Sequence, residues 1–496
     1  MAIAIRESQE IEGIRPEDAG NDQKGDRVSL FADDSAAFVA RREQIEQARI
    51  IIRQYEKATG QKLHDDKTKI MRIGKGRAER MTNKEVGVDF EIMTEDETER
   101  YLGDIVGNQV TEERRFNELV EKMSSEGGRW NREKIGIYGR AIIANTLLMS
   151  KVKFRADINP LSTLLTRRIR DEIRSFMWKG KKAGTRWEIL LRPVQEGGVG
   201  LRDPGCVFDV AKVKMLVHLR DGVRQPWKKW VERKIKRVGR RWGVADVLTA
   251  QPTLRQRKEL RENCLVERAL KVWFEVGKGM TREQMIKKRG GEANVDVMSQ
   301  KDRDELGLMI GTTWTPINKL MTKQIYGQLM MKRMKMKKYK PKQAHDNLQK
   351  IQANLTAMER DYWWRVNHNL VMTRKRESKY KQVQATCPVC GEEEEDMKHY
   401  MYDCPKVQEL IERVKSKAGM TSINREQWAL EAKNMTHRAM TTIAKARWIH
   451  HQERCQICMG KRKRMNTQIM MNRLEKAMAA VQEKEEKRER GRNQRK

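Results

Sequence analysis

Three groups of residues in this chain have the types and spacing to do chemistry. Asp33-Asp34 stands between two apolar runs, Val28, Leu30 and Phe31 before it and Ala37, Phe38 and Val39 after it. Adjacent carboxylates repel each other unless a hard divalent cation such as Mg²⁺ takes both as oxygen ligands. The same pair also suits a solvated turn, because Asp is a favoured turn residue. The second group is Cys387-Pro-Val-Cys390, then His399 and Cys404. Three thiolates and one imidazole are the donor set of a closed, tetrahedral structural Zn²⁺ site. Gly391, directly after the Cys-x-x-Cys pair, permits the backbone angle that a tight knuckle needs. The acidic run Glu392–Asp396 reads as a solvated loop outside the cage, since four preferred ligands are already present. The third group, His450-His451 with Cys455 and Cys458, offers four further ligands. It reads equally well as one face of a helix over 444–459.

The elements that must hold these groups are legible nearby. The apolar flanks of Asp33-Asp34 predict two short strands joined as a hairpin, with the acids at its tip. Ile45, Ala48, Ile51, Ile52 and Tyr55 recur at three- and four-residue spacing, which predicts an amphipathic helix over 42–58 that ends at Gly60. A Gly-Lys loop follows through Lys67-Thr68, and Tyr101–Gly107 has the character of one short strand bracketed by glycines. Leu164, Leu165, Ile169, Ile173 and Phe176 predict a buried helical stripe, and Gly197-Gly198-Val199-Gly200 predicts a turn of close backbone approach.

The order hairpin, helix, Gly-Lys loop, short strand resembles the second half of the palm of reverse transcriptases from non-LTR retrotransposons of the long-interspersed-element type. The residues that carry the match are Leu30-Phe31-Ala32-Asp33-Asp34, Gly60-Gln61-Lys62-Leu63 with Lys67-Thr68, and Tyr101-Leu102-Gly103. Segments 135–153 and 161–178 resemble the helices that follow the palm. Phe176-Met177-Trp178-Lys179-Gly180, Trp187, Arg192-Pro193 and Glu196–Asp203 resemble the tryptophan-rich stretch and Gly-Gly-x-Gly-Leu-x-Asp signature of the same family. The resemblance implies an RNA-directed DNA polymerase in which Asp33 and Asp34 bind Mg²⁺ and Lys67 acts as an acid towards the pyrophosphate leaving group. It also implies nucleic-acid contacts at Tyr101 and Gly103, and a Cys-Cys-His-Cys knuckle that grips template RNA or target DNA. Two-metal nucleotidyl transfer needs a third carboxylate, which in this family lies upstream of the hairpin. Only Met1–Arg27 precede the hairpin, and Asp18, Asp22 and Asp26 lack a surrounding strand pattern. The expectation is a chain truncated at its N-terminus, inactive alone, with a partner supplying the missing palm strands. A non-catalytic RNA- or DNA-binding remnant, or a co-opted zinc-knuckle protein, fits the same residues.

Composition points the same way independently. Lysine and arginine total 104 against 69 acids, a net charge of +35. Such an excess draws a chain to polyphosphate by counterion release. It is locally dense at Lys332, Arg333, Lys335, Lys337 and Lys338, at Lys461–Arg464, and over 484–496. Each run is a candidate nucleic-acid contact, a localisation signal or a solvated segment. Tyr362-Trp363-Trp364 offers rings for base stacking or for a core. No apolar run approaches the ~18 residues that span a bilayer. Seven cysteines, three of them in a metal-like array with His399, suit a reducing, intracellular compartment, cytoplasm or nucleus.

The fold class expected is α+β, mostly α. A partial palm over 1–110 leads to a thumb-like helical segment over 111–180 and a helical region with the basic run over 181–342. In that region Trp227, Trp230, Trp242 and Trp273 pack as core, and loops fall at 277–279 and 289–291. The zinc-knuckle region spans 343–430, and a helical, basic tail closes the chain over 431–496. No Asp follows Asp403, so neither a restriction-like endonuclease nor a ribonuclease H, both built on Asp-rich cages, is expected there.

Overall fold

A hairpin forms at Asp33-Asp34, with its first arm as expected, but its second strand starts at Asp34 and ends at Ala37, so Phe38 and Val39 lie beyond it. In the computed structural model, which describes residues 1–15, 25–74, 90–219, 225–238, 244–250, 253–261, 264–289, 299–334 and 343–493, β1 (Val28–Phe31) pairs antiparallel with β2 (Asp34–Ala37). The two-residue connection is Ala32-Asp33, and Ala32 takes φ +53°, the left-handed entry that tight hairpin turns require. The helix Gln44–Thr59 follows and stops at Gly60, which takes φ +74°. Its terminator is the one read from the sequence, and it runs from 44 to 59 where the spacing predicts 42–58. Ile5, Ile11 and Ala48 form a small core beneath the hairpin, with Val28, Val39 and Ile51 packed against it.

The described residues are mostly helical, 60% helix against 8% strand, and their strands form small local sheets rather than a continuous layer. The chain divides into two compact units, the first made of 1–123, 150–169 and 204–333, the second of 124–149, 170–203 and 334–496.

In the first unit two expectations are corrected. Tyr101–Gly107 is not one strand but the turn and second arm of a hairpin, β5 (Glu99–Tyr101) with β6 (Asp104–Val106), following a short parallel pair of β3 (Lys69–Ile70) and β4 (Glu91–Ile92). Leu102 and Gly103 take φ +50° and +84°. Two successive positive φ values reverse the chain within two residues. Arg155 locks the turn by donating from Nε to the Gly103 carbonyl at 2.8 Å. The second correction concerns 277–279, which is not a loop. Lys278–Thr281 forms β7, paired with β8 (Leu306–Ile310), which in turn pairs with β9 (Thr313–Pro316). Its glycines serve close approach, since a Cβ on Gly279 would lie 2.0 Å from the Leu248 carbonyl oxygen. Of the four tryptophans expected as core here, Trp273 is fully buried, Trp227 is half-buried, and Trp230 is 37% exposed. Trp242 and the break at 290–291 lie outside the described residues.

The second unit contains the tryptophan and glycine motifs. Gly197 and Gly200 take φ +79° and +69°, and a Cβ on Gly198 would lie 2.0 Å from the Arg192 carbonyl oxygen. The Gly197 carbonyl accepts from Trp364 Nε1 at 3.0 Å. Buried Asp203 accepts from Trp187 Nε1 at 3.0 Å and pairs with Arg170 at 2.7 Å. Tyr362, Trp363 and Trp364 are buried, which decides for the core reading of those rings. Helix Thr163–Met177 belongs to the first unit up to Ile169 and to the second from Arg170, and its stripe needs one correction: Leu165, Ile169, Ile173 and Phe176 are buried, whereas Leu164 is 75% exposed. The buried four step by four, four and three residues along one face, and Leu164 sits about 100° away from Leu165 around the axis.

Candidate metal centre and nucleic-acid residues

The Cys-x-x-Cys pair is folded into a tight knuckle by its own backbone. The Gly391 N–H donates to the Cys387 carbonyl at 2.9 Å, and the Cys387 N–H donates to the Glu393 carbonyl at 2.7 Å. Gly391 takes φ +80°, as its position after the pair predicts. The backbone N–H groups of Val389 and Cys390 donate to the Cys387 sulfur. The other two ligands come from a different local device. His399 opens a π-helical turn, His399–Asp403, and its N–H donates to Asp396 Oδ1 at 2.8 Å. Cys404 is the N-cap of helix Pro405–Lys417, and its sulfur accepts from the N–H groups of Lys406 and Val407.

These two devices bring the three sulfurs and one imidazole nitrogen within 4.8 Å of one another. A tetrahedron with Zn–S bonds of about 2.3 Å has edges of about 3.8 Å. His399 Nε2 lies 3.4 Å from Cys390 Sγ, while its Nδ1 lies 2.9 Å from Glu393 Oε2. A carboxylate on Nδ1 fixes the tautomer and leaves Nε2 for a metal. Cys387, Cys404 and His399 are buried. The Cys387 thiol hydrogen-bonds to Cys404, which with burial pushes Cys387 well up, while the same bond and the helix N–H groups pull Cys404 down against burial. Two thiols in such contact are poised to lose both protons to a soft divalent ion. The donor set and spacing therefore fit zinc. When bound, the ion crosslinks the knuckle to the helix, with four protein ligands leaving no open position for catalysis.

The acidic run lies outside the cage but is not simply solvated. Glu395 is 1% exposed and forms a two-point ion pair with Arg454 of helix His437–Cys458, with Arg454 Nε donating to Oε1 at 2.6 Å. The sequence signal missed was the position of the run, directly between the two ligand pairs. The third group, His450, His451, Cys455 and Cys458, lies on that same helix. Among the described residues only the Cys387, Cys390, His399 and Cys404 group has metal-binding spacing.

Asp33 and Asp34 are exposed at the turn of the first hairpin, and Leu30 and Phe31 beside them are 42% and 67% exposed. Among the described residues no third ligand joins the pair. Lys67 is exposed on a short 3-10 turn, Asp65–Lys67. Tyr101 and Gly103 are half-buried on the second hairpin. Of the basic run, Lys335, Lys337 and Lys338 lie outside the described residues. Lys332 is exposed and donates to the Glu275 carbonyl. Arg333 pairs with Asp209 and Glu275 at 2.7 Å each. Burial raises the Asp209 carboxyl, but Arg268 and Arg333 together bring it below its usual range. The Arg333 guanidinium is thus committed to internal carboxylates.

No protein-family model matches this chain, and no curated protein matches it. No helix among the described residues is long and apolar enough to cross a membrane.

Proposed function

We propose that this chain is the RNA- and DNA-binding part of a non-LTR retrotransposon reverse transcriptase, in which a zinc knuckle braces the second unit. By itself it holds a primer-template without extending it. The observation that carries this reading is the hairpin, which presents Asp33 in a two-residue turn and Asp34 beside it, both exposed, with no third ligand alongside among the described residues. Two carboxylates offer a Mg²⁺ ion two oxygens, whereas nucleotidyl transfer by two ions needs a fuller cage. The net charge of +35 supports affinity for the polyphosphate backbone.

The test uses the full zinc-loaded chain with a fluorescent RNA-DNA primer-template. Anisotropy is expected to show binding that weakens at least about tenfold as salt rises from about 50 to about 200 mM, and addition of Mg²⁺ with nucleotides is expected to give no extension. Binding insensitive to salt, or none, overturns the reading, and primer extension overturns its non-catalytic half. A second reading, a decayed or co-opted zinc-knuckle remnant that binds RNA or DNA without catalysis, is favoured by the solvent-open carboxylate pair. It is separated by adding a polypeptide that carries further palm carboxylates, since restored extension excludes it.

A further inference from the structure

The helical pair that follows the knuckle encloses a cleft of about 280 Å³, lined by Trp448, His451, Gln452, Glu453, Cys455, Gln456, Arg462 and Arg473. Trp448, Gln452, Cys455 and Gln456 lie on one face of helix His437–Cys458, at steps of four, three and one. Arg473 comes from helix Thr467–Asn493, and Arg462 from the basic turn between the two helices. The volume is just below the range of small-ligand sites, about 300 to 1,000 Å³. It suits one flat ring with its attached sugar.

The charge arrangement selects an anion at the lip. Glu453 is fully buried and accepts from Arg462 Nη1 and Arg473 Nη1 at 2.5 Å each. One carboxylate holds two guanidiniums together and leaves a positive charge uncompensated. Both arginine side chains are more than a third exposed, and a guanidinium carries five N–H donors, more than these contacts use. The exposed Lys461, Lys463 and Arg464 add charge on the same turn.

The wall is aromatic and rigid. Tyr362 stacks on His451 with ring centres 4.7 Å apart and 29° between planes, and Trp448 lies 5.9 Å from His451. His451 Nδ1 is held by the Tyr400 hydroxyl at 2.9 Å, which fixes the floor. Half-buried Trp448 supplies a π surface. The Gln452 amide oxygen accepts from Arg473 Nη2, which leaves its N–H groups to donate, and the Gln456 amide supplies a donor and an acceptor for the edge of a base. An aromatic wall with cations at its lip is the combination that binds unpaired bases by stacking and their phosphates by charge.

We propose that this cleft binds one unpaired nucleotide of single-stranded RNA or DNA, its base against Trp448 and its phosphate on Arg462 and Arg473. The site deepens the nucleic-acid reading above and rests on it. The test uses the full zinc-loaded chain and a fluorescent 4-thiothymidine-containing oligothymidylate of about twelve nucleotides, a span within single-strand site sizes. Photo-cross-linking followed by mass spectrometry is expected to place adducts within 448–473. Anisotropy is expected to show about tenfold weaker binding for Trp448→Ala. Because Trp448 also packs against Tyr362, the surface pair Gln456→Ala and Arg462→Ser serves as a second variant. It should retain zinc and helical content while losing a similar factor. Salt-sensitive binding with adducts only outside 448–473, or less than a twofold loss in the folded double variant, overturns the cleft and leaves the broader reading standing. Absence of any binding overturns both.

Discussion

Replacing Glu395 by Ala removes the carboxylate that ties the knuckle to helix His437–Cys458. In the folded chain Glu395 receives Arg454 Nε at 2.6 Å, Arg454 Nη2, and the backbone N–H of Arg374 at 2.7 Å. The side chains of Glu395 and Arg454 are 1% and 5% exposed. Removing one partner strands a buried guanidinium, and breaking a buried pair in this way costs about 3 to 5 kcal/mol. With a urea dependence of about 2 kcal/mol per molar, the midpoint of the transition that releases zinc should fall by roughly 2 M. The assay is urea titration of the zinc-loaded chain, read by circular dichroism and by a chromogenic zinc chelator. The double replacement Glu395→Leu with Arg454→Met removes both charges and should recover most of the loss, because apolar groups of similar volume replace buried ion pairs at little cost. A loss below about 1 kcal/mol for Glu395→Ala, or a double variant no better than the single one, refutes the assignment of the pair as the clamp.

Three further outcomes are expected. Purified protein should carry about one zinc per chain, and chelation or Cys404→Ser should unfold the knuckle region in near-ultraviolet circular dichroism; less than about half an equivalent of metal argues against the site. Burial, aided by neighbouring Arg447, lowers the His450 imidazole from 6.5 to about 3, so the unfolded chain binds a proton that the folded chain refuses between those values. The His450 contribution to stability is therefore full above pH 6.5 and falls on acidification by about 1.4 kcal/mol per pH unit, with buried His451, lowered to about 3 as well, adding a second proton; His450→Leu should show a slope shallower by about one proton, and an unchanged slope sinks the attribution. Finally, Ile169→Ala should cost about 2 to 5 kcal/mol in denaturant titration, whereas Leu164→Ala should stay within about 0.5; equal losses would contradict the exposure of Leu164.

The parts of the site that could be read directly are those set by local chemistry. A Cys-x-x-Cys pair followed by Gly already contains its knuckle, because the N–H groups that serve Cys387 are two and three residues along the chain. Cys404 before Pro405 likewise contains its helix start. Gly60 ending a helix and Ala32-Asp33 turning a hairpin are equally local. What escaped was anything whose meaning depends on a distant partner. Glu395 resembled its four acidic neighbours until Arg454, 59 residues away, was placed against it. Arg333 resembled the lysines around it until Asp209 and Glu275 closed on its guanidinium.

By itself, then, the amino-acid sequence determined the Cys387, Cys390, His399 and Cys404 group that the fold brings together, the hairpin turn at Asp33, the amphipathic helix behind it and the strong positive charge. Residue type, spacing of a few positions and backbone preference are enough for those. The tertiary structure alone decided that Tyr362-Trp363-Trp364 is core and not a stacking platform, that Leu165 and not Leu164 faces inward, and that Trp448 joins Arg462 and Arg473 around one cleft. A ring, a leucine or an arginine serves interior and surface equally well in isolation. Which role it takes depends on what packs against it, and that partner is brought by the fold from far along the chain.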